Sequence, residues 1–179
     1  MRANLFDLGL DNDPTATDSI TVNLWAVGSL SNTVPDHSIQ ALLHTNGNAT
    51  MQFPTAVTGN SFYIAVVHRN SIETWSKFPV DFTSTTGYDF STGLIKAYDD
   101  GVNAPMASMS GSIYAIYGGD VDQNGGIDAS DLAEVDNDNG SFAFGYNASD
   151  TNGDGGTDAS DMAIVDNNQP LFLFYARPY

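Results

Sequence analysis

A chain of 179 residues (19.1 kDa) has room for one ordinary domain carrying a small module. Its 22 acidic residues face only 5 basic ones, which gives a net charge of -17 and a pI near 4.1. That balance excludes a nucleic-acid binder, which needs a basic face, and a binder of anionic membranes; it points to cation binding or to solubility outside the cell. Hydrophobic residues at 41% exclude a disordered acidic tail, and with no cysteine there is no disulfide, thiolate zinc site or cysteine nucleophile. No apolar run reaches the roughly 18 residues that a membrane span requires. The start, Met1-Arg2-Ala3-Asn4-Leu5, lacks the shape of a signal peptide, so the expectation is a removed targeting segment or a piece of a longer product. Both termini are expected to be tied down.

Residues 1–117 read as β structure. Ile20, Val22, Leu24 and Ala26 alternate with Thr21, Asn23 and Trp25, the period of a strand buried on one face. Ser38 to His44 and Ala49 to Phe53 flank Thr45-Asn46-Gly47-Asn48, and Asn-Gly between such runs predicts a hairpin. Phe62 to His68, aromatic and β-branched, predicts a central strand. Shorter strands are predicted at 73–78, 87–90 and 112–117. Short strands divided by regular turns predict an antiparallel, immunoglobulin-like β-sandwich, with a barrel as the rival architecture.

The acid is concentrated further on. Twelve of the 22 carboxylates lie between Asp120 and Asp166, and no Lys or Arg occurs between Lys96 and Arg177, so a boundary is placed at Gly118-Gly119. Beyond it the chain repeats with an offset of 30 residues: Asp120 to Asp131 aligns with Asp150 to Asp161, and Leu132 to Asn137 with Met162 to Asn167. Each copy predicts a polar loop followed by a short helix, with Ser130-Asp131 or Ser160-Asp161 favouring its N-terminus.

Both loops carry oxygen donors at positions 1, 3, 5, 7, 9 and 12 of a twelve-residue calcium pattern. In the first these are Asp120, Asp122, Asn124, the Gly126 carbonyl, Asp128 and Asp131. In the second they are Asp150, Asn152, Asp154, the Gly156 carbonyl, Asp158 and Asp161. Gly125 and Gly155 stand at position 6, where the chain must turn sharply, and Ile127 and Thr157 at position 8, where paired loops join through a short β contact. Four carboxylates in one loop repel one another without a counter-ion, and a hard dication that takes six to eight oxygens removes that repulsion. Two Ca2+ ions are therefore predicted; they take the charge from -17 to about -13. Magnesium prefers a tighter octahedron, and no sulfur or clustered imidazole serves a softer metal.

Over residues 119–168 the sequence resembles the dockerin family, in which two loop–helix calcium units stand in tandem without the entering helix of a full EF-hand. Asp131 and Asp161 match its frequent Asp at position 12. The resemblance implies docking of a partner through helix residues at loop positions 10 and 11, here Ala129-Ser130 and Ala159-Ser160. The whole chain resembles the C-terminal parts of bacterial surface and secreted proteins, where a sandwich containing a stretch like His68-Arg69-Asn70-Ser71-Ile72-Glu73-Thr74-Trp75 precedes such a pair. Relatives of that kind carry an extra strand ahead of the stretch corresponding to Leu5, so the resemblance implies an open sheet edge here.

Other chemistry finds little support. His37, His44 and His68 are scattered, no nucleophile elbow or phosphate loop is present, and Glu73 and Glu134 are the only glutamates for a glycosidase pair. Arg69 and Glu73 are expected to form a local ion pair, while Trp75 and Tyr63 are expected in the core, with sugar stacking as the alternative. Leu171-Phe172-Leu173-Phe174-Tyr175 is apolar on both faces and must be covered, by its own chain or by a neighbouring copy. An apolar strand filling an open edge of the next copy makes a head-to-tail filament.

The sequence reading is thus a β-sandwich (1–117), a dockerin-like calcium module (118–169) and an apolar C-terminal strand (170–179). The predicted protein is a non-catalytic, extracellular, calcium-stabilised surface or fibre subunit. Its predicted partners are copies of itself or another surface protein. A docking module and a carbohydrate-binding accessory domain are the alternatives.

Overall fold

The structure, a computed structural model, describes residues 1–102 and 105–179. Most of the regular structure is antiparallel β. Strands β1 (Ala16–Ala26), β2 (His37–His44), β3 (Ser61–His68) and β4 (Ser71–Trp75) form an open sheet in the order β2-β1-β3-β4, and β5 (Val80–Asp81) pairs with β3 beyond the end of β4. A second sheet joins β6 (Ala107–Ser108) to β7 (Tyr114–Ala115). Helices α1 (Asn4–Asp7), α2 (Ala129–Gly140) and α3 (Ala159–Asn168) complete the fold.

Alternation along β1 decides what each face of the sheet buries. Register places Val22 opposite Val66 and Ile39, and Leu24 opposite Ile64. Ile20, Val22, Leu24, Phe62, Ile64 and Val66 build one core, covered by Met51, Phe53, Phe82, Tyr88, Phe90 and Ile116. Trp25, Ala65 and Trp75 face the other way, with the two indoles 5.5 Å apart. Trp75 is only 1% exposed, so it presents no face to a sugar ring. Trp75→Ala is expected to cost about 3–5 kcal/mol in urea denaturation, the penalty of emptying a buried aromatic site.

Four expected strands differ. Residues 49–53 turn back at Asn46-Gly47 but contribute a single bridge, Leu43 to Ala49; Met51 and Phe53 reach the core without a ladder, and Pro54 opens a 3-10 turn. Residues 87–90 also pack without pairing, because Asp89 caps a 3-10 turn over Phe90–Thr92 by accepting from the Ser91 N–H at 2.8 Å. Strand β4 begins earlier than the expected 73–78, at Ser71, and ends at Trp75. In 112–117 only Tyr114–Ala115 is strand, since Gly111 and Ser112 take left-handed conformations.

Sheet and acidic repeat share hydrogen bonds and a core. The Gly119 N–H donates to the Asn70 carbonyl at 2.7 Å and the Ile72 N–H to the Tyr117 carbonyl at 2.9 Å. Ile72 of β4 packs with Val121, Ile127, Val135, Val165 and Leu173. Gly119 is required at this junction: its φ is +119°, and a Cβ would lie 3.3 Å from Ile127 Cγ2.

The C-terminal segment forms one bridge rather than a strand. Pro170 lies in a 3-10 turn, Phe172 adopts φ +53°, and only Phe174 bridges, to Gly126. Leu173 is buried in its own chain, and Arg177 packs its guanidinium over Trp25 and Trp75 and donates to the Leu30 carbonyl. Among the described residues no helix is long and apolar enough to cross a membrane.

Candidate metal centre

The 30-residue repeat folds twice into one shape: loop, helix, left-handed turn, extended segment. Helices α2 and α3 start after Asp128 and Asp158, whose side chains accept from the N–H of Ser130 and Ser160 at 2.7 Å in both copies. Asp131 and Asp161 reach back to the N–H of Asp128 and Asp158 at 2.8 and 3.0 Å, completing a capping box in each. The caps are therefore the aspartates at position 9, two residues ahead of the expected Ser130 and Ser160. Val135 and Val165, related by the repeat, meet in the core with no exposed surface.

The loops do not pair with each other at position 8. The Ile127 N–H donates to the Leu173 carbonyl at 3.0 Å, and the Thr157 N–H to the Ala143 carbonyl at 3.0 Å. Gly126 bridges Phe174, and Gly156 bridges Phe144. Each repeat thus lends its last segment to the loop of the other. The tail is the end of the second repeat: Phe142-Ala143-Phe144 aligns with Phe172-Leu173-Phe174, and Phe142 and Phe172 share φ values of +55° and +53°. The repeat in sequence extends seven residues beyond Asn137 and Asn167 to reach it.

Each loop gathers three carboxylates whose oxygens lie within 4.8 Å of one another: Asp120, Asp122 and Asp131 in the first, Asp150, Asp154 and Asp161 in the second. The middle member differs because the asparagine has changed place, at position 5 in the first loop (Asn124) and position 3 in the second (Asn152). Asp128 and Asp158 stand outside the triads, and hydrogen bonds from the Ser130 and Ser160 hydroxyls lower their pKa values. The Gly126 N–H donates to Asn124 Oδ1 at 3.0 Å and the Gly156 N–H to Asp154 Oδ1 at 3.2 Å.

The electrostatics of the triads are unfavourable without a cation. Burial, with the Asp131 and Asp122 carboxylates beside it, pushes Asp120 up to about 6 against the Gly125 N–H. Burial likewise raises Asp131 and Asp150. Asn152 Oδ1 is buried with no hydrogen-bond partner, an acceptor unsatisfied by the chain itself. Clustered hard oxygens, an orphaned acceptor and left-handed glycines at φ +92° (Gly125) and +90° (Gly155) fit a hard metal ion.

Residues far away in sequence complete the second loop. Asn4 Nδ2 donates to Asp150 Oδ2 at 3.2 Å, and Arg2 lies 3.5 Å from Asp154 Oδ2. Arg69 does not pair with Glu73. Its Nε donates to Asp18 Oδ2 at 2.9 Å, its Nη1 donates to the Asn147 carbonyl, its Nη2 stands 3.8 Å from Asp150 Oδ2, and its plane covers the Tyr146 ring. Asn70 donates to the carbonyls of Ala148 and Asp150. Nothing in their local sequence marks Arg2, Asn4 or Asn70; they were missed because only folding brings them to the loop.

Asp18 is the buried counter-charge of this junction. Burial alone would raise its pKa, but hydrogen bonds from His68 and Tyr146 and the charges of His68 and Arg69 outweigh it and hold the carboxyl at about 2. The folded state therefore binds this proton less tightly than the unfolded chain does. The stabilisation, about 2 kcal/mol, is complete above about pH 4 and is lost as the pH falls to about 2. Urea melts of the wild type and Asp18→Asn should differ by that amount at neutral pH and converge at pH 2.

No protein-family model matches the chain, and no curated protein or solved structure matches it either. The site and the fold define a mainly β protein with one pair of acidic, metal-compatible triads related by the repeat.

Proposed function

We propose that the protein is a non-catalytic, extracellular structural subunit. In this reading an immunoglobulin-like sandwich carries a dockerin-like module that binds two Ca2+ ions, with Asp120, Asp122 and Asp131 holding one and Asp150, Asp154 and Asp161 the other. The observation that carries the reading is the duplicated carboxylate triad with its unsatisfied Asn152 oxygen. The ions act mechanically. Neutralising each triad lets α2, α3 and the crossed segments close over Val135, Val165 and Leu173, and so fixes the module against Ile72 of the sheet. Titrating calcium into chelated protein while counting bound ions by native mass spectrometry tests the claim: two are expected, and none would reject it.

The same reading makes the subunit self-associating. Leu173 anchors the tail inside, while Phe142, Phe144, Phe172 and Phe174 are 89, 80, 76 and 55% exposed. Apolar surface of this kind supports a contact with the next copy. Deleting the tail would also remove Leu173 and Arg177, so the discriminating variant is Phe172→Ser with Phe174→Ser. It should abolish concentration-dependent assembly in sedimentation while leaving the melting midpoint nearly unchanged. Assembly that persists would turn attention to docking of a different partner through Ala129-Ser130 and Ala159-Ser160, which are exposed.

A further inference from the structure

Resting on the calcium reading above, we infer that the two loops are not equivalent: the first takes its ion at markedly lower calcium concentration than the second. The loops carry the same formal charge, four aspartates each. They share the same capping boxes, the same glycine turns and the same cross-pairing with the other repeat. The backbone frame is therefore shared, and the difference that bears on a cation is the charge placed around the carboxylates.

The second loop already has cationic partners as well as neutral donors. Asp150 receives three backbone N–H groups, from Gly153, Asp154 and Gly155, at 2.9 to 3.1 Å, and the Asn4 amide at 3.2 Å. Arg69 Nη2 lies 3.8 Å from the same carboxylate, and Arg2 lies 3.5 Å from Asp154. In the first loop the partners are neutral: Asp120 receives the Gly125 N–H at 3.4 Å, Asp122 receives the Asn124 N–H, the Asn124 Nδ2 and the Ser130 hydroxyl at 2.9 to 3.0 Å, and among the described residues no Lys or Arg forms an ion pair with any of its carboxylates. A dication gains most where negative charge is least compensated, and it is repelled by a guanidinium already seated beside the site. Arg69 has a second duty that keeps it there, because it also neutralises the buried Asp18. The first loop is also the one that holds the tail, through Ile127 to Leu173 and Gly125 to Tyr175. Filling in this order fixes the tail before the second ion arrives.

The experiment is a calcium titration of chelated, full-length, 15N-labelled protein, with the Gly125 and Gly155 amide resonances followed separately. Gly125 should finish its change near one equivalent and Gly155 only afterwards, with midpoints roughly tenfold or more apart. Arg2→Gln, an exposed and structurally mild change, should tighten the second step severalfold at low ionic strength and leave the first unchanged. Simultaneous titration of the two glycines, or Gly155 moving first, overturns the ordering while leaving calcium binding intact. No shift of either resonance overturns the calcium reading itself, and the ordering with it.

Discussion

Stripping calcium should lower the melting midpoint of this protein by roughly 15 to 30 °C. Each ion, at a free concentration a thousandfold above its dissociation constant, stabilises the folded state by about 4 kcal/mol, so two give about 8. For a chain of this size each kcal/mol moves the midpoint by about 2 to 4 °C. Such full linkage is expected because the core beneath α2 and α3 is a handful of side chains around Val135 and Val165, set under a cluster of buried carboxylates whose mutual repulsion works against closure. Scanning calorimetry with calcium and with chelator measures the shift directly. Magnesium should restore little of it, because an octahedral ion that keeps its waters does not satisfy this many protein oxygens. An unchanged midpoint would remove calcium from the account of the fold.

Arg69→Met should cost about 3–5 kcal/mol even with calcium present, the usual consequence of removing one partner from a buried charge cluster. The guanidinium side chain is 14% exposed, and its two carboxylate partners, Asp18 and Asp150, are 5 and 0% exposed. Methionine fills much of the volume but leaves both carboxylates facing a low-dielectric interior. Arg69→Lys should recover only part of the loss, because an ammonium cannot reach Asp18, the Asn147 carbonyl and Asp150 together as a planar fork does. Urea denaturation of Arg69→Met, Asp18→Asn and the double variant forms a cycle. The two losses should fall well short of additive, since the residues are in contact. A loss under about 1 kcal/mol for Arg69→Met would mean that the cluster does not couple sheet and repeat.

The carboxylates of both triads were legible in the chain because the loop that gathers them is local. Position 1 and position 12 are eleven residues apart, and the carboxylates, asparagines and glycines at fixed intervals identify it without reference to the rest of the molecule. Strands β1, β2 and β3 were readable for a similar reason, since alternation of apolar residues selects an extended backbone with one buried face. Residues 49–53 and 87–90 carry the same apolar signal yet form no ladder, because side-chain burial and backbone pairing are separate requirements and Met51, Phe53, Tyr88 and Phe90 meet only the first.

What the tertiary structure alone decided is who neutralises whom. Arg69 stands four residues from Glu73, and local spacing favours that pair, but β3 and β1 set it beside Asp18, and the fold lays loop two against it. Asn4 meets Asp150 across 146 residues of chain, and the tail closes on the loop of the first repeat rather than its own. Such contacts arise from the pairing of whole elements, and their free energy depends on burial and on distances in space; the sequence neighbours of these residues carry no trace of either.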